Sequence, residues 1–240
     1  MNVLLNDPPR ERAEGGDEFI LLEELKKKSD IITLHVPLNR AGEDHTFHLL
    51  DAGFISDLKN GAILINTSRG GVVDEAAALE GIRDGKLADV ILDVFENEPD
   101  IKRDLLEAIT LATPHIAGYS LDGKANGTSM SVQAISRFFG LGLDNWSPAN
   151  IPPPDTSEIL IDASDDDLFE LLWEIYKQIY DVSSDDQRLR SAPETFESLR
   201  GNYPKRREAA AYAVRLFQGY PEIREILEKL GFDVLSDQCM

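Results

Sequence analysis

The 240-residue chain is poor in the groups that build metal sites and covalent cross-links. It has one cysteine, Cys239, which excludes an internal disulfide and a cysteine-built metal centre. Its four histidines (35, 45, 48 and 115) show no metal-binding spacing, so no metal is expected. Basic residues are scarce: 24 Lys and Arg stand against 44 Asp and Glu, a formal net charge of −20. Such a surface repels nucleic acid and anionic lipid, and neither is expected as a partner. No run reaches the length of about 18 apolar residues that a membrane span needs. Met1–Leu5 lacks the basic-then-apolar form of a signal peptide, so the expected compartment is the cytoplasm. The chain also lacks the G-x-G-x-x-G turn of dinucleotide folds: Gly140-Leu141-Gly142 runs on into Leu143 and Asp144 with no third glycine.

What is present is an alternation of apolar runs and helical patterns. Strands are expected at Val3–Leu5, Ile31–His35, Ala62–Asn66, Ala88–Val94 and Ile109–Thr113. Helices are expected around Glu18–Lys28, Asp51–Leu58 and Asp74–Asp84, with Asp74 as an N-cap. Strands alternating with helices indicate an α/β fold with a parallel sheet covered on both faces. A long, partly helical stretch, Leu121–Leu143, follows. Ile151-Pro152-Pro153-Pro154 then marks a linker, because consecutive prolines preclude helix.

A second, smaller α/β unit is expected beyond the linker. Glu158–Ile161 reads as a strand and Asp165–Tyr180 as an amphipathic helix with acidic residues at its start, where the helix dipole favours them. Alternation at Tyr212, Val214 and Leu216 gives a strand. Pro221 opens a helix ended by Gly231, and Phe232–Leu235 closes the unit. Residues 155–198 hold thirteen acidic and three basic side chains, half of the net charge, and read as a solvated face. The division expected is a partial nucleotide-binding domain at 1–120, a helical return segment at 121–145, a proline-rich linker at 146–155 and a tail domain at 156–240.

Three segments just past strand ends carry the chemistry: Ile65-Asn66-Thr67-Ser68-Arg69-Gly70-Gly71, Leu92-Asp93-Val94-Phe95-Glu96-Asn97-Glu98-Pro99 and Thr113-Pro114-His115-Ile116-Ala117-Gly118-Tyr119. Ligands of parallel α/β sheets bind outside the carboxyl ends of the strands, so Arg69, Glu98 and His115 can converge. Histidine exchanges a proton near neutral pH, a neighbouring carboxylate fixes its tautomer and favours the imidazolium, and arginine grips a carboxylate through two hydrogen bonds. Together they suit reversible oxidation of a 2-hydroxy acid. Arg69 holds the carboxylate, His115 takes the hydroxyl proton and a nicotinamide takes the hydride.

In the order and spacing of these three residues the chain resembles the D-isomer-specific 2-hydroxyacid dehydrogenases. Asn6-Asp7-Pro8-Pro9-Arg10, His115 to Ala125 and Leu199 to Glu208 resemble a member of that family with a C-terminal dimerisation domain. The resemblance implies a doubly wound, Rossmann-like parallel sheet, followed by a small α/β dimerisation domain in a homodimer. It implies NAD as cofactor and a small phosphorylated 2-hydroxy acid as substrate. Asp7 would hold the adenosine ribose, Val36 would line the cofactor through its backbone, and Thr67, Ser68, Arg69, Asp93 and Gly118 would approach the nicotinamide. Tyr119 would contact substrate, and Arg206 and Arg207 would hold its phosphate, from the same chain or its partner. Arg69, Glu98 and His115 would be catalytic. Other members of the family, of phosphoglycerate or hydroxypyruvate type, and a non-catalytic NAD-binding or dimerisation module are the alternative readings.

The glycine-rich turn and the family's N-terminal substrate domain are absent from these residues. In the strand order 3-2-1-4-5-6 this leaves Val3–Leu5 and Ala62–Asn66 as open edges on either side of a missing central strand. The chain alone is therefore expected to be an inactive fragment that binds NAD poorly.

Overall fold

A computed structural model describes residues 1–162, 167–217 and 221–235; Cys239 and the acidic Asp165 and Asp166 lie outside the described residues. The chain forms two compact units, Met1–Ala117 with Ser183–Asn202, and Gly118–Val182 with Tyr203–Met240.

In chain order the elements up to Ala117 are α1 (Pro8–Glu14), α2 (Leu22–Lys28), β1 (Ile31–Leu34), α3 (Ala52–Ser56), β2 (Ala62–Asn66), α4 (Glu75–Arg83), β3 (Leu87–Leu92), α5 (Arg103–Ala108) and β4 (Leu111–Ala112). The strands form one parallel sheet in the order β1-β2-β3-β4. Leu64, Val90, Leu92 and Ala112 are buried in one core with Leu105 of α5. Local chemistry sets the helix starts: Asp51 accepts the Phe54 amide at 2.8 Å to open α3, and Asp74 accepts that of Ala76 at 2.9 Å to open α4.

Two expectations about the sheet are corrected. Val3–Leu5 is not a strand: Leu5 makes a single parallel bridge to Phe19, and Val3 is 74% exposed. A strand needs a neighbour to take its backbone hydrogen bonds, and this segment has only that one. Phe19 goes to the bridge, so the helix expected from Glu18 begins at Leu22. The open edge is also placed differently. Ile31–Leu34 pairs directly with Ala62–Asn66, so β2 is interior and β1 is the edge.

The remaining elements are α6 (Leu121–Phe139), β5 (Glu158–Asp162), α7 (Leu168–Ile179), α8 (Val182–Ser191), α9 (Phe196–Gly201), β6 (Ala213–Phe217), α10 (Pro221–Lys229) and β7 (Asp233–Leu235). Ser183–Asn202 belongs to the first unit, because Leu189 and Phe196 are fully buried in its core. There Asp186 accepts the Ala112 amide at 2.7 Å, and Arg190 donates to the Ile109 carbonyl at 3.0 Å. The second unit runs from Gly118 to Val182 and resumes at Tyr203. Its parallel sheet has the order β5-β6-β7. Ile159, Ile161, Val214, Leu216 and Val234 share a core with Leu171 and Ile175 of α7 and Leu227 of α10. Asp167 caps α7 through the Phe169 amide at 2.8 Å. Leu160 and Phe217, which alternate with the buried positions, remain exposed. No helix among the described residues is long and apolar enough to cross a membrane.

Candidate active site

The Arg69 turn is built by a buried asparagine. Asn66, the last residue of β2, is fully buried; its Oδ1 accepts the Ser68 amide at 3.0 Å and the Ser68 hydroxyl at 2.8 Å. Its Nδ2 donates to the Arg69 carbonyl at 3.0 Å. One side chain thus satisfies the turn's polar groups and aims the exposed Arg69 out of the sheet. The Arg69 Nη1 donates to the Ser68 carbonyl at 2.6 Å. Gly70 then passes so close to the loop after β3 that a Cβ there would lie 1.9 Å from the Phe95 carbonyl oxygen. Only glycine allows this backbone-to-backbone contact, which ties the arginine turn to the Glu98 loop.

Asp93, at the end of β3, organises the third segment. Its Oδ1 accepts the Thr113 hydroxyl at 2.5 Å and the Ile116 amide at 2.8 Å, and its Oδ2 accepts the Ala117 amide at 2.9 Å. Burial pushes the Asp93 carboxyl up from its ordinary range, while these hydrogen bonds hold it down. The Asp93 carbonyl accepts the His115 amide at 2.8 Å, and Arg200 of α9 donates to the His115 carbonyl at 3.2 Å. These bonds hold His115 at φ +55°, a left-handed backbone that non-glycine residues seldom adopt.

Glu98 and His115 are bonded: Oε2 of the carboxylate meets Nδ1 of the ring at 2.7 Å, both side chains being about one-fifth exposed. The other oxygen, Oε1, accepts the Phe95 amide at 2.8 Å. A carboxylate accepts, so Nδ1 carries the hydrogen and Nε2 is the nitrogen free to exchange a proton. Arg69 makes no ion pair with either group among the described residues; it is linked to them through Gly70 and Phe95.

The residues assigned to the cofactor differ in what they can still offer. Asp7 is half-buried and caps α1, accepting the Arg10 amide at 3.1 Å. A carboxylate takes several donors, so this one can also receive a ribose hydroxyl. Val36 is partly buried against the core, so only its backbone could meet a cofactor. Thr67 is half-buried in the turn. The polar atoms of Ser68 and Asp93 are engaged within the chain, so these two shape the site. The first unit thus fits the adenosine end of a dinucleotide at Asp7. Gly118, the first residue of the second unit, has φ +74° and open space where a Cβ would stand.

In the second unit the ring of Tyr119 lies under the Lys124 ammonium at 4.2 Å and edge-on to Tyr203. Arg207 is committed to Asp122 through two hydrogen bonds of 2.8 and 2.9 Å, and to the Pro152 carbonyl at 2.6 Å. The pair holds the arginine above and Asp122 below its ordinary range, chiefly through these hydrogen bonds. Arg206 stacks over Tyr180 at 4.3 Å and has no carboxylate partner among the described residues. It lines a cavity of about 460 Å³ with Trp173, Tyr176 and Lys177. Sequence reasoning placed Arg206 and Arg207 together on the substrate phosphate; in the structure only Arg206 has an uncommitted charge.

Three contributors escaped the sequence reading: Asn66, Arg200 and His48. The asparagine carries a signal, since a polar residue ending an apolar strand must find buried partners. The other two depend on partners far along the chain and carry none.

Residues 1–117 match the family described as D-isomer specific 2-hydroxyacid dehydrogenase, NAD binding domain, and residues 151–231 match a domain of unknown function. Erythronate-4-phosphate dehydrogenase from Bacteroides thetaiotaomicron is 48% identical over 214 residues, covering 89% of this chain and 59% of that protein. The protein of that name from Edwardsiella ictaluri is 42% identical over 236 residues, covering 97% and 62%. Among solved structures, the apo form of D-mandelate dehydrogenase from Rhodotorula graminis is 32% identical with a TM-score of 0.46, over 57% of this chain and 39% of that one. The chain spans about 60% of the length of the curated relatives it matches. The chain is thus similar to erythronate-4-phosphate dehydrogenases at 40–48% identity, and its residues 1–117 match the NAD-binding domain of the D-isomer specific 2-hydroxyacid dehydrogenases.

Proposed function

We propose that this chain supplies the proton-transfer and carboxylate-binding groups of an NAD-dependent dehydrogenase. The proposed reaction is oxidation of 4-phospho-D-erythronate to its 2-oxo acid, in cytoplasmic vitamin B6 biosynthesis. The observation that carries this reading is the Glu98–His115 pair, fastened by one backbone contact to the turn that presents Arg69. Arg69 binds the substrate carboxylate through its planar fork and polarises the C2 oxygen. Nε2 of His115 accepts the C2 hydroxyl proton as the C2 hydrogen leaves with its electron pair. Glu98 holds the ring and compensates the charge of the imidazolium that forms. NAD, when bound, supplies the acceptor for that hydride. Asp7 holds its ribose. Tyr119 contacts the substrate, and Arg206 is the better of the two tail arginines for the phosphate.

Because no G-x-G-x-x-G motif for the cofactor pyrophosphate occurs in the sequence, we propose that this chain alone binds NAD poorly and does not turn over. We assign the second unit to homodimerisation; the exposed Leu160 and Phe217 on its outward sheet face support this.

The test is a fusion of this chain to the N-terminal portion of the Bacteroides thetaiotaomicron relative that it does not cover. The fusion should reduce NAD with 4-phosphoerythronate in preference to 3-phosphoglycerate or glycolate, while the chain alone should be inactive. Preference for either competitor would refute the substrate, and turnover by the chain alone would refute the fragment reading.

A further inference from the structure

A second histidine–carboxylate pair stands beside the first. We propose that His48 is a positioning residue: by bonding Glu96 it locks the Phe95–Glu98 loop to the strand-like segment beside Arg69, and so sets Glu98 against His115. The proposal deepens the dehydrogenase reading and rests on it for the roles of Arg69, Glu98 and His115.

The geometry is specific. His48 has φ +52°, a left-handed backbone that among the described non-glycine residues only His115 shares. Such a conformation persists where surrounding contacts over-determine it. The His48 amide donates to the Gly71 carbonyl at 2.8 Å, and Leu50 donates to Val72 at 3.1 Å. Residues 48–50 therefore run along the chain that has just left Arg69 and Gly70. The ring stacks flat on Phe47, centroids 3.9 Å apart, and its Nε2 is bonded to Oε1 of Glu96.

Glu96 in turn is gripped from its own side. Its amide donates to Oε1 of the buried Glu75 at 2.8 Å, and Lys102 lies 3.0 Å from the other Glu75 oxygen and 3.9 Å from Oε2 of Glu96. Asp74 lies 3.9 Å from Nδ1, and the Arg40 guanidinium lies 4.4 Å from the Phe47 ring on which His48 stacks. The loop residues flanking Glu96 make the remaining links: Phe95 meets Gly70 and gives its amide to Glu98, and Glu98 holds His115. Arg69 does not bond Glu98 or His115, so their register is set by links between segments, among them the Gly70–Phe95 contact, the Glu96 amide on Glu75 and the His48–Glu96 bond. The Gly70–Phe95 contact fixes only distance, and the Glu75 bond holds the Glu96 backbone; the His48 bond is the one that holds the Glu96 side chain from the Arg69 side, and it is directional and charge-assisted.

Amide hydrogen exchange and imidazole NMR on the 240-residue chain test this without cofactor or substrate. H48L should raise the exchange rates of the Phe95 and Glu96 amides by about tenfold, the scale of one lost charge-assisted hydrogen bond. It should also move the His115 Nδ1 resonance, while Leu64 and Val90 in the sheet stay unchanged. H48Q, whose side-chain amide can donate to Glu96, should restore both signals. E96Q weakens the same link with little change of volume, and decides the matter if H48L fails to fold; it should give the same local loss. The proposal is overturned if H48L and E96Q leave these signals as in the wild type, or if H48Q is no better than H48L. A failure of the fusion to oxidise substrate would instead overturn the dehydrogenase reading, and the exchange result would stand apart from it.

Discussion

Gly70→Ala isolates the contact on which the candidate site turns. The added methyl would stand 1.9 Å from the Phe95 oxygen, 2.0 Å from its carbon and 2.7 Å from the Glu96 nitrogen, all backbone atoms that no rotamer change can move. Ordinary contact begins near 3.4 Å, so the loop must retreat by about 1.5 Å. That shift strains or breaks the 2.8 Å bonds Phe95 N–H to Glu98 and Glu96 N–H to Glu75. Overpacking costs about 1–3 kcal/mol and each weakened bond about 0.5–1.5 kcal/mol, so the expected loss is about 3 kcal/mol. This is a large part of a domain's stability. The neighbouring Gly71→Ala is the control. Its methyl would meet only the side chains of Phe47 and Leu38, at 3.4–3.5 Å, and should cost less than about 1 kcal/mol. All tryptophan and tyrosine residues lie in the second unit or outside the described residues, so tryptophan emission follows that unit while circular dichroism follows both. Urea unfolding followed by circular dichroism should show G70A well below G71A. Equal midpoints for the two variants would refute the reasoning.

Two further outcomes are expected. Arg207 holds the Asp122 carboxyl below its ordinary range, so this pair contributes stability above the unfolded-state pKa of Asp122 and loses it as pH falls through the lowered folded value. D122N should therefore destabilise the second unit at neutral pH and flatten its acid unfolding, measured by tryptophan emission; a wild-type acid profile in D122N would contradict this. L160D places a charge on the outward face of the second sheet and should shift the chain toward monomer in sedimentation equilibrium, with unchanged circular dichroism. A wild-type chain that is already monomeric, or an association that L160D leaves unchanged, would contradict this assignment.

Much of the first unit is legible in sequence because its signals are local. The apolar run Ala62–Asn66 and the aspartate caps at 51 and 74 declare their elements, and Glu98 and His115 meet because each lies just past the end of its strand. Pairing is less legible: nothing local states that Ile31 lies beside Ile63, or that Leu5 has only Phe19. The acidic tract at 155–198 hides Leu189 and Phe196: Phe196 meets the Phe95 ring, and Arg190, beside Leu189, bonds the Leu106 and Ile109 carbonyls, all partners some eighty to a hundred positions earlier. His48 reads as a loop histidine, because its carboxylate partner is 48 residues away and its left-handed backbone carries no sequence mark.

The central claim is that His115, held by Glu98, exchanges the substrate proton. Its most direct test is H115N in the fusion with the relative's N-terminal portion, measuring kcat for NAD-dependent oxidation alongside NADH affinity. The account predicts a loss of about a hundredfold to ten-thousandfold in kcat, the range for a positioned general base, with NADH affinity unchanged. An H115N protein that turns over within about threefold of the wild type would contradict it.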